Sequence, residues 1–281
     1  MRKKRREKFI IHVLAVILIF LVVTFIKNLL LYEPEEISIS IENVAAFTIP
    51  AQTFSDLKTM SSSRDLDFAE VLTVYSLHKN FFPPGSVAAT KEYLEGSFFT
   101  NYRNIKRNFT QDQINIYKHI LSALLNEIEC FPVDDNEYYF SDTFGAARTY
   151  GGSRTHEGTD IMDVKNVRGR IPIISMTGGT IRNIGWGELG GYNIGINTPS
   201  GNYFYYAHFD SFAEGLSPGD IVEAGQIIGF MGDSGYGTYG TRGMFPVHLH
   251  IGIKVRSEIA EDGMFWINPY VFLRNVEGLL N

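Results

Sequence analysis

Only seven of the 281 residues are histidine, and three stretches place them beside groups that could share an ion or a proton. In Val247-His248-Leu249-His250-Ile251-Gly252-Ile253-Lys254-Val255, apolar and other residues alternate. Strand side chains alternate faces, so an extended chain here puts His248 and His250 on one side and the five aliphatic residues on the other. In His156-Glu157-Gly158-Thr159-Asp160, a separation of four places imidazole and carboxylate on one face. They would stand about 13 Å apart on a straight strand, so joint ligation needs a bend, which Gly158 permits. Zinc in catalytic sites is commonly held by three protein groups plus water, two imidazoles and one carboxylate being a frequent set. His156, Asp160 and one of the pair His248/His250 would complete that set. The third stretch, Tyr205-Tyr206-Ala207-His208, ends an aromatic strand on a histidine before the turn-like Asp210-Ser211.

The surrounding sequence is rich in β-branched and aromatic residues over 171–176, 180–186, 192–197, 203–208, 226–230 and 247–255, with Gly-Gly, Pro-Ser-Gly-Asn and Ser-Pro-Gly-Asp between them. This punctuation, with no helix-length pattern interrupting it, predicts a mainly β domain built as an antiparallel sheet over 132–281. Glycine divides the chain: of 27, only Gly85 and Gly96 precede Gly145. Before the boundary, Leu66, Phe68, Val71, Leu72 and Tyr75 recur at helical spacing, and a second apolar stripe from Ile114 to Ile128 follows the capping box Thr110-x-x-Gln113. Residues 51–131 are therefore expected to form a small helical region, with 33–50 as a tether. No catalytic constellation stands out in it. His78 and His119 read as isolated side chains, and Cys130, the single cysteine, as a small buried hydrophobe.

The net charge of −6 conceals a split, because residues 1–8 carry +5 and the remainder −11. An acidic body is a poor partner for nucleic acid, whose binding needs phosphates neutralised by Lys and Arg. One cysteine excludes internal disulfides and cysteine-rich zinc or iron–sulfur sites. From Phe9 to Ile26 only His12 and Thr24 carry polar side-chain atoms over 18 residues, roughly 27 Å of helix. The basic segment 1–8 precedes this run, and Glu33, Glu35 and Glu36 follow it. The expectation is an uncleaved transmembrane signal-anchor helix over 9–32, with the N-terminus cytoplasmic and the rest extracytoplasmic.

The ordered set His156-x-Gly158-x-Asp160, Tyr206-Ala207-His208, Gly219-Asp220-x-Val222-x-x-Gly225-Gln226-x-Ile228-Gly229 and His248-x-His250 resembles the lysostaphin-type (LytM-domain) zinc endopeptidases, which cut peptidoglycan peptides. The Gly219–Gly229 piece alone also resembles the hairpin of biotinyl and lipoyl carriers, but no acceptor lysine follows it. The resemblance covers about residues 140–256. It implies one zinc per chain held by His156, Asp160 and His250, with His208 and His248 as catalytic groups beside the metal. One departure is the loop 235–246, longer than the family's short segment before the last histidine pair, which bears on substrate preference. Tyr150, six residues before His156, reads as a packing residue, with donation to a developing oxyanion as its other reading. Glu157 lacks the second histidine of a His-Glu-x-x-His helix and reads as a solvated side chain. The implied function is a membrane-anchored extracytoplasmic peptidase acting on bacterial peptidoglycan. The alternative is a metal-binding, non-hydrolytic module that binds the wall or activates another hydrolase.

Overall fold

The computed structural model describes residues 2–30, 39–78 and 91–277, with side chains for only part of the helices at 2–30 and 91–108. Helix α1 spans Arg2–Leu30, followed by α2 (Ile41–Ala45), α3 (Ala51–Ser63), α4 (Phe68–His78), α5 (Lys91–Asn108) and α6 (Gln111–Glu127). The strands are β1 (Tyr138–Phe140), β2 (Ala147–Arg148), β3 (Arg154–Thr155), β4 (Thr159–Asp163), β5 (Pro172–Ile174) and β6 (Gly179–Gly187), then β7 (Gly191–Asn197), β8 (Tyr203–Phe212), β9 (Ile221–Val222), β10 (Ile227–Met231), β11 (His248–Arg256) and β12 (Met264–Ile267). Helix α7 (Tyr270–Val276) follows them.

One antiparallel sheet runs in the order β1-β4-β11-β8-β7-β6-β9, with β10 pairing β8 and β5, and β12 pairing β11. A separate ribbon pairs β2 with β3. The alternation read in β11 is realised: Val247, Leu249, Ile251, Ile253 and Val255 are buried in the core, and the histidines between them face away from it. The capping box forms, with the Thr110 side chain accepting from Gln113 N–H and the Gln113 side chain accepting from Thr110 N–H. That satisfies two amide donors that the first turn of α6 would otherwise leave open.

The described part of the stretch read as a tether is structured. Ser40 caps α2, Val44, Phe47 and Ile49 are buried, and Asn268 N–H donates to Ala45 O at 2.7 Å. Alternation and helical period are both absent from so short a helix, so the sequence carries little sign of it. The helical region docks on the sheet through Glu127, which accepts from Asn202 Nδ2 at 2.7 Å and from the Ser200 hydroxyl. Among the described residues no helix is long and apolar enough to cross a membrane. The transmembrane helix expected over 9–32 is thus not supported, and the expected segment lies in part outside the described residues.

Candidate metal centre

Strands β4 and β11 pair in register, His250 opposite Asp160 and Ile251 opposite Thr159. Cross-strand partners share a face, so this register brings the carboxylate and the imidazole together. The bend expected at Gly158 delivers the third group. His156 Nε2 lies 2.9 Å from His250 Nδ1 and 3.0 Å from Asp160 Oδ1, and His250 Nδ1 lies 3.0 Å from the same oxygen. Gly158 is needed for a steric reason, since a Cβ there would sit 2.2 Å from Ile251 O and 2.9 Å from His250 Nε2.

These distances fit a cation. His156 Nδ1 donates to Thr143 O at 2.9 Å, so its Nε2 presents a lone pair to the carboxylate oxygen and to His250. Lone pairs that close repel unless a proton or a cation lies between them. Zinc bonds of about 2.0–2.2 Å in a tetrahedron put neighbouring ligand atoms roughly 3.3 Å apart, near what is found. Burial acts to raise the Asp160 carboxyl pKa, and the contacts with His156 and His250 outweigh it, holding the group well below the usual carboxylate range. Arg148 Nη2 holds the other carboxylate oxygen at 2.7 Å, which orients the carboxylate.

His248 and His208 stand beside this triad. His248 Nδ1 donates to Pro246 O at 2.7 Å, and its Nε2 lies 3.8 Å from Asp160 Oδ1, outside the three-way contact. His208 Nδ1 donates to Ser234 O at 2.8 Å. The two rings are 4.6 Å apart between centroids, each with Nε2 left as an acceptor. Burial lowers the pKa of both, and for His208 the charges of His248 and His250 add to that, so the neutral form is favoured.

The sequence placed His208 at a strand end, but β8 continues to Phe212 and His208 is an extra residue within it. Tyr192 pairs Phe209 while Asn193 pairs Ala207, leaving His208 unopposed with φ +69°. Tyr205 and Ala207 line the cleft, and Phe204 and Tyr206 are buried in the core. Simple alternation would therefore send the 208 side chain inward; the left-handed bulge returns it to the cleft. Such a conformation in a non-glycine residue is sparsely populated and collects at functional sites.

The cleft above these groups has a volume of about 280 Å³. One wall is an aromatic shelf of Tyr203, Tyr205 and Trp266, another is Leu189–Gly190, and the long loop contributes Tyr236. Tyr150 stacks on Tyr236 at 4.3 Å between centroids, a packing contact. Glu157 is exposed at the rim. Arg148, Arg154 and Trp266 were not singled out in the sequence. Strands as short as β2 and β3 hold too few residues for a periodic signal.

Residues 154–261 match the profile of Peptidase family M23. An L-Ala–D-Glu endopeptidase of Bacillus subtilis is 45% identical over 139 residues, 49% of this chain and 40% of that protein. Lysostaphin of Staphylococcus simulans is 35% identical over 98 residues, 33% of this chain and 18% of its own. The chain thus spans less than half the length of the curated relatives it matches. A solved structure described as a putative glycyl-glycine endopeptidase lytM from Ruminococcus gnavus superposes with a TM-score of 0.66 at 38% identity. Agreement of that order over 85% of this chain and 92% of the R. gnavus protein reflects common descent, and the chain belongs to the M23 (LytM/lysostaphin-type) peptidase family.

Proposed function

We propose that this protein is a zinc endopeptidase that hydrolyses a peptide bond of bacterial peptidoglycan. The observation that carries the reading is the meeting of His156 Nε2, Asp160 Oδ1 and His250 Nδ1 within 3.0 Å of one another under an open cleft, with two further imidazoles alongside. Zinc held by that set supplies Lewis acidity towards water and the scissile carbonyl. His208 and His248 move the protons: their Nε2 atoms take one from the attacking water and return one to the leaving amine. Their Nδ1–H groups, donated to Ser234 O and Pro246 O, keep both rings in the tautomer this requires. The bulge at His208 aims one of them into the cleft.

Two bonds suit the family. The B. subtilis relative is named for the L-Ala–D-Glu bond, whose glutamyl residue brings a carboxyl group of its own to the nitrogen side of the scissile bond. The R. gnavus structure is described for a glycyl-glycine bond, which carries no charge. We further place the enzyme on the outer face of the cell membrane, anchored through residues 9–32. The apolar run Phe9–Ile26, the +5 before it and the acidic residues after it support that orientation.

Digestion of purified sacculi by the zinc-loaded chain, with mass analysis of released fragments, tests the activity. Release of peptide fragments that a chelator abolishes and zinc restores is the expected result. If the loaded protein binds sacculi or stimulates another hydrolase but releases nothing, the non-hydrolytic module replaces this reading. Protease added to wall-stripped cells tests the topology, since it should remove the β domain; full protection would refute it.

A further inference from the structure

The ribbon β2–β3 contains an arrangement that stability does not explain. Its register sets Arg148 directly opposite Arg154, and both line the cleft. Like charges facing each other across an antiparallel pair are destabilising. Arg148 is neutralised by Asp160 Oδ2 at 2.7 Å. Arg154 is not: among the described residues no carboxylate lies within 4 Å of it, and its partners are neutral. Its Nε donates to Tyr150 O at 3.3 Å and its Nη2 to Tyr236 Oη at 3.0 Å, with the Tyr236 ring 5.8 Å from the guanidinium carbon. Tyr236 is itself braced by its stack on Tyr150. Glu157 shares the rim, but among the described residues it makes no ion pair with Arg154.

A half-buried guanidinium held by neutral groups keeps its charge for something that enters the cleft. Its planar fork suits a carboxylate, and fixing it in advance lowers the ordering cost of binding one. Its position suits a carboxylate near the reacting bond. Directly opposed cross-strand residues have Cβ atoms about 4.5–5.5 Å apart, so Arg154 stands one side chain away from Arg148, which touches the ligand Asp160. Resting on the reading of this site as a peptidoglycan peptidase, we infer that Arg154 is a specificity-determining residue that binds a peptide carboxylate adjacent to the scissile bond. The cleft then takes the acidic stem peptide rather than a glycine bridge.

The test uses the full chain loaded with zinc and three peptides: L-Ala-γ-D-Glu-L-Lys, its analogue with the D-Glu α-carboxyl replaced by carboxamide, and pentaglycine. Wild type should cleave the acid form with kcat/KM about 10- to 100-fold above the amide, the range of a charge-assisted hydrogen bond. Arg154→Gln should collapse that ratio towards one, and Arg154→Lys, which keeps the charge without the fork, should give an intermediate ratio. Zinc content, measured in parallel, should be unchanged in both. A wild-type ratio near one, a preference for pentaglycine, or an unaltered ratio in zinc-replete Arg154→Gln would overturn the inference. Zinc loss in both variants would make Arg154 a structural support and overturn it too; if only the Gln variant loses zinc, the ratio of the Lys variant decides. Failure of zinc-loaded wild type to cleave any of the three while it still releases fragments from sacculi would also overturn the inference; failure on the peptides and on sacculi together is a different result, which removes the peptidase reading itself.

Discussion

Gly158→Ala isolates the contribution of strand approach to the metal centre, because it alters no ligand. The added Cβ would lie 2.2 Å from Ile251 O, 2.7 Å from His250 Cε1 and 2.9 Å from His250 Nε2. An ordinary carbon–oxygen contact is about 3.3 Å or more, so roughly 1 Å must be found by parting the chain at Gly158 and β4 from β11, and the contacts with the His250 ring require that ring to turn as well. Either movement separates His250 Nδ1 from Asp160 Oδ1, now 3.0 Å apart. Overpacking of this kind costs about 1–3 kcal/mol of stability. Misplacing a catalytic geometry by about 1 Å costs on the order of 100-fold in rate, and disturbing the support of a metal ligand about 10- to 100-fold in metal affinity. Chelator competition reads the zinc dissociation constant, and peptide or sacculus hydrolysis reads kcat/KM. Gly96→Ala is the control, since among the described residues a Cβ there in α5 meets nothing within 4 Å, and it should leave both unchanged. If Gly158→Ala binds zinc as tightly as wild type and melts at the same temperature, the close approach of β4 and β11 is not what shapes the site.

Three further outcomes are expected. His250→Ala should purify without zinc, whereas His248→Ala should keep it and lose turnover; equal zinc loss in metal analysis would mean that the roles within the pair are misassigned. Removing zinc from wild type should lower the melting temperature and restoring it should raise it, with little response in His250→Ala, because the ion binds the folded chain. Asp163 should make the fold acid-sensitive. Burial acts to raise its pKa, but the Arg170 guanidinium and the Lys165 and Val167 amides outweigh burial and lower it. A carboxyl whose folded pKa is depressed contributes stability above its unfolded value, near 3.8, and that stability is lost as pH falls through the folded value. Asp163→Asn should cost about 1.5–3 kcal/mol at neutral pH, since Arg170 keeps Asp135 and Glu137 as partners, and should flatten the unfolding profile below pH about 4; an undiminished acid slope in denaturant titrations would contradict this.

What could be read from the residues was what strand periodicity carries. The nine residues from Val247 to Val255 repeat at period two, and the buried aliphatic face follows directly from that. The partner strand β4 was legible only as an extended segment with a bend, since its pairing with β11 is a long-range fact that local alternation does not encode. The sense of the bulge at His208 was hidden for a related reason: β-branched and aromatic neighbours advertise a strand, and nothing in Tyr205-Tyr206-Ala207-His208-Phe209 marks a residue in the left-handed region. The arginine pair on β2–β3 was equally hidden, because the two strands are joined by a turn and contain two residues each.

Three of the imidazoles around the metal site are oriented by main-chain carbonyls, those of Thr143, Ser234 and Pro246. A carbonyl persists through any substitution that preserves the path of the chain. The loops carrying these residues can therefore diverge in side chain over evolutionary time without turning a ring out of alignment. Cleft-facing side chains, such as Tyr236 from the long loop, can change without moving these carbonyls. Variation in the lining of the cleft is thereby separated from variation that would misalign the imidazoles, which makes the scaffold easy to retune by natural drift or by loop exchange.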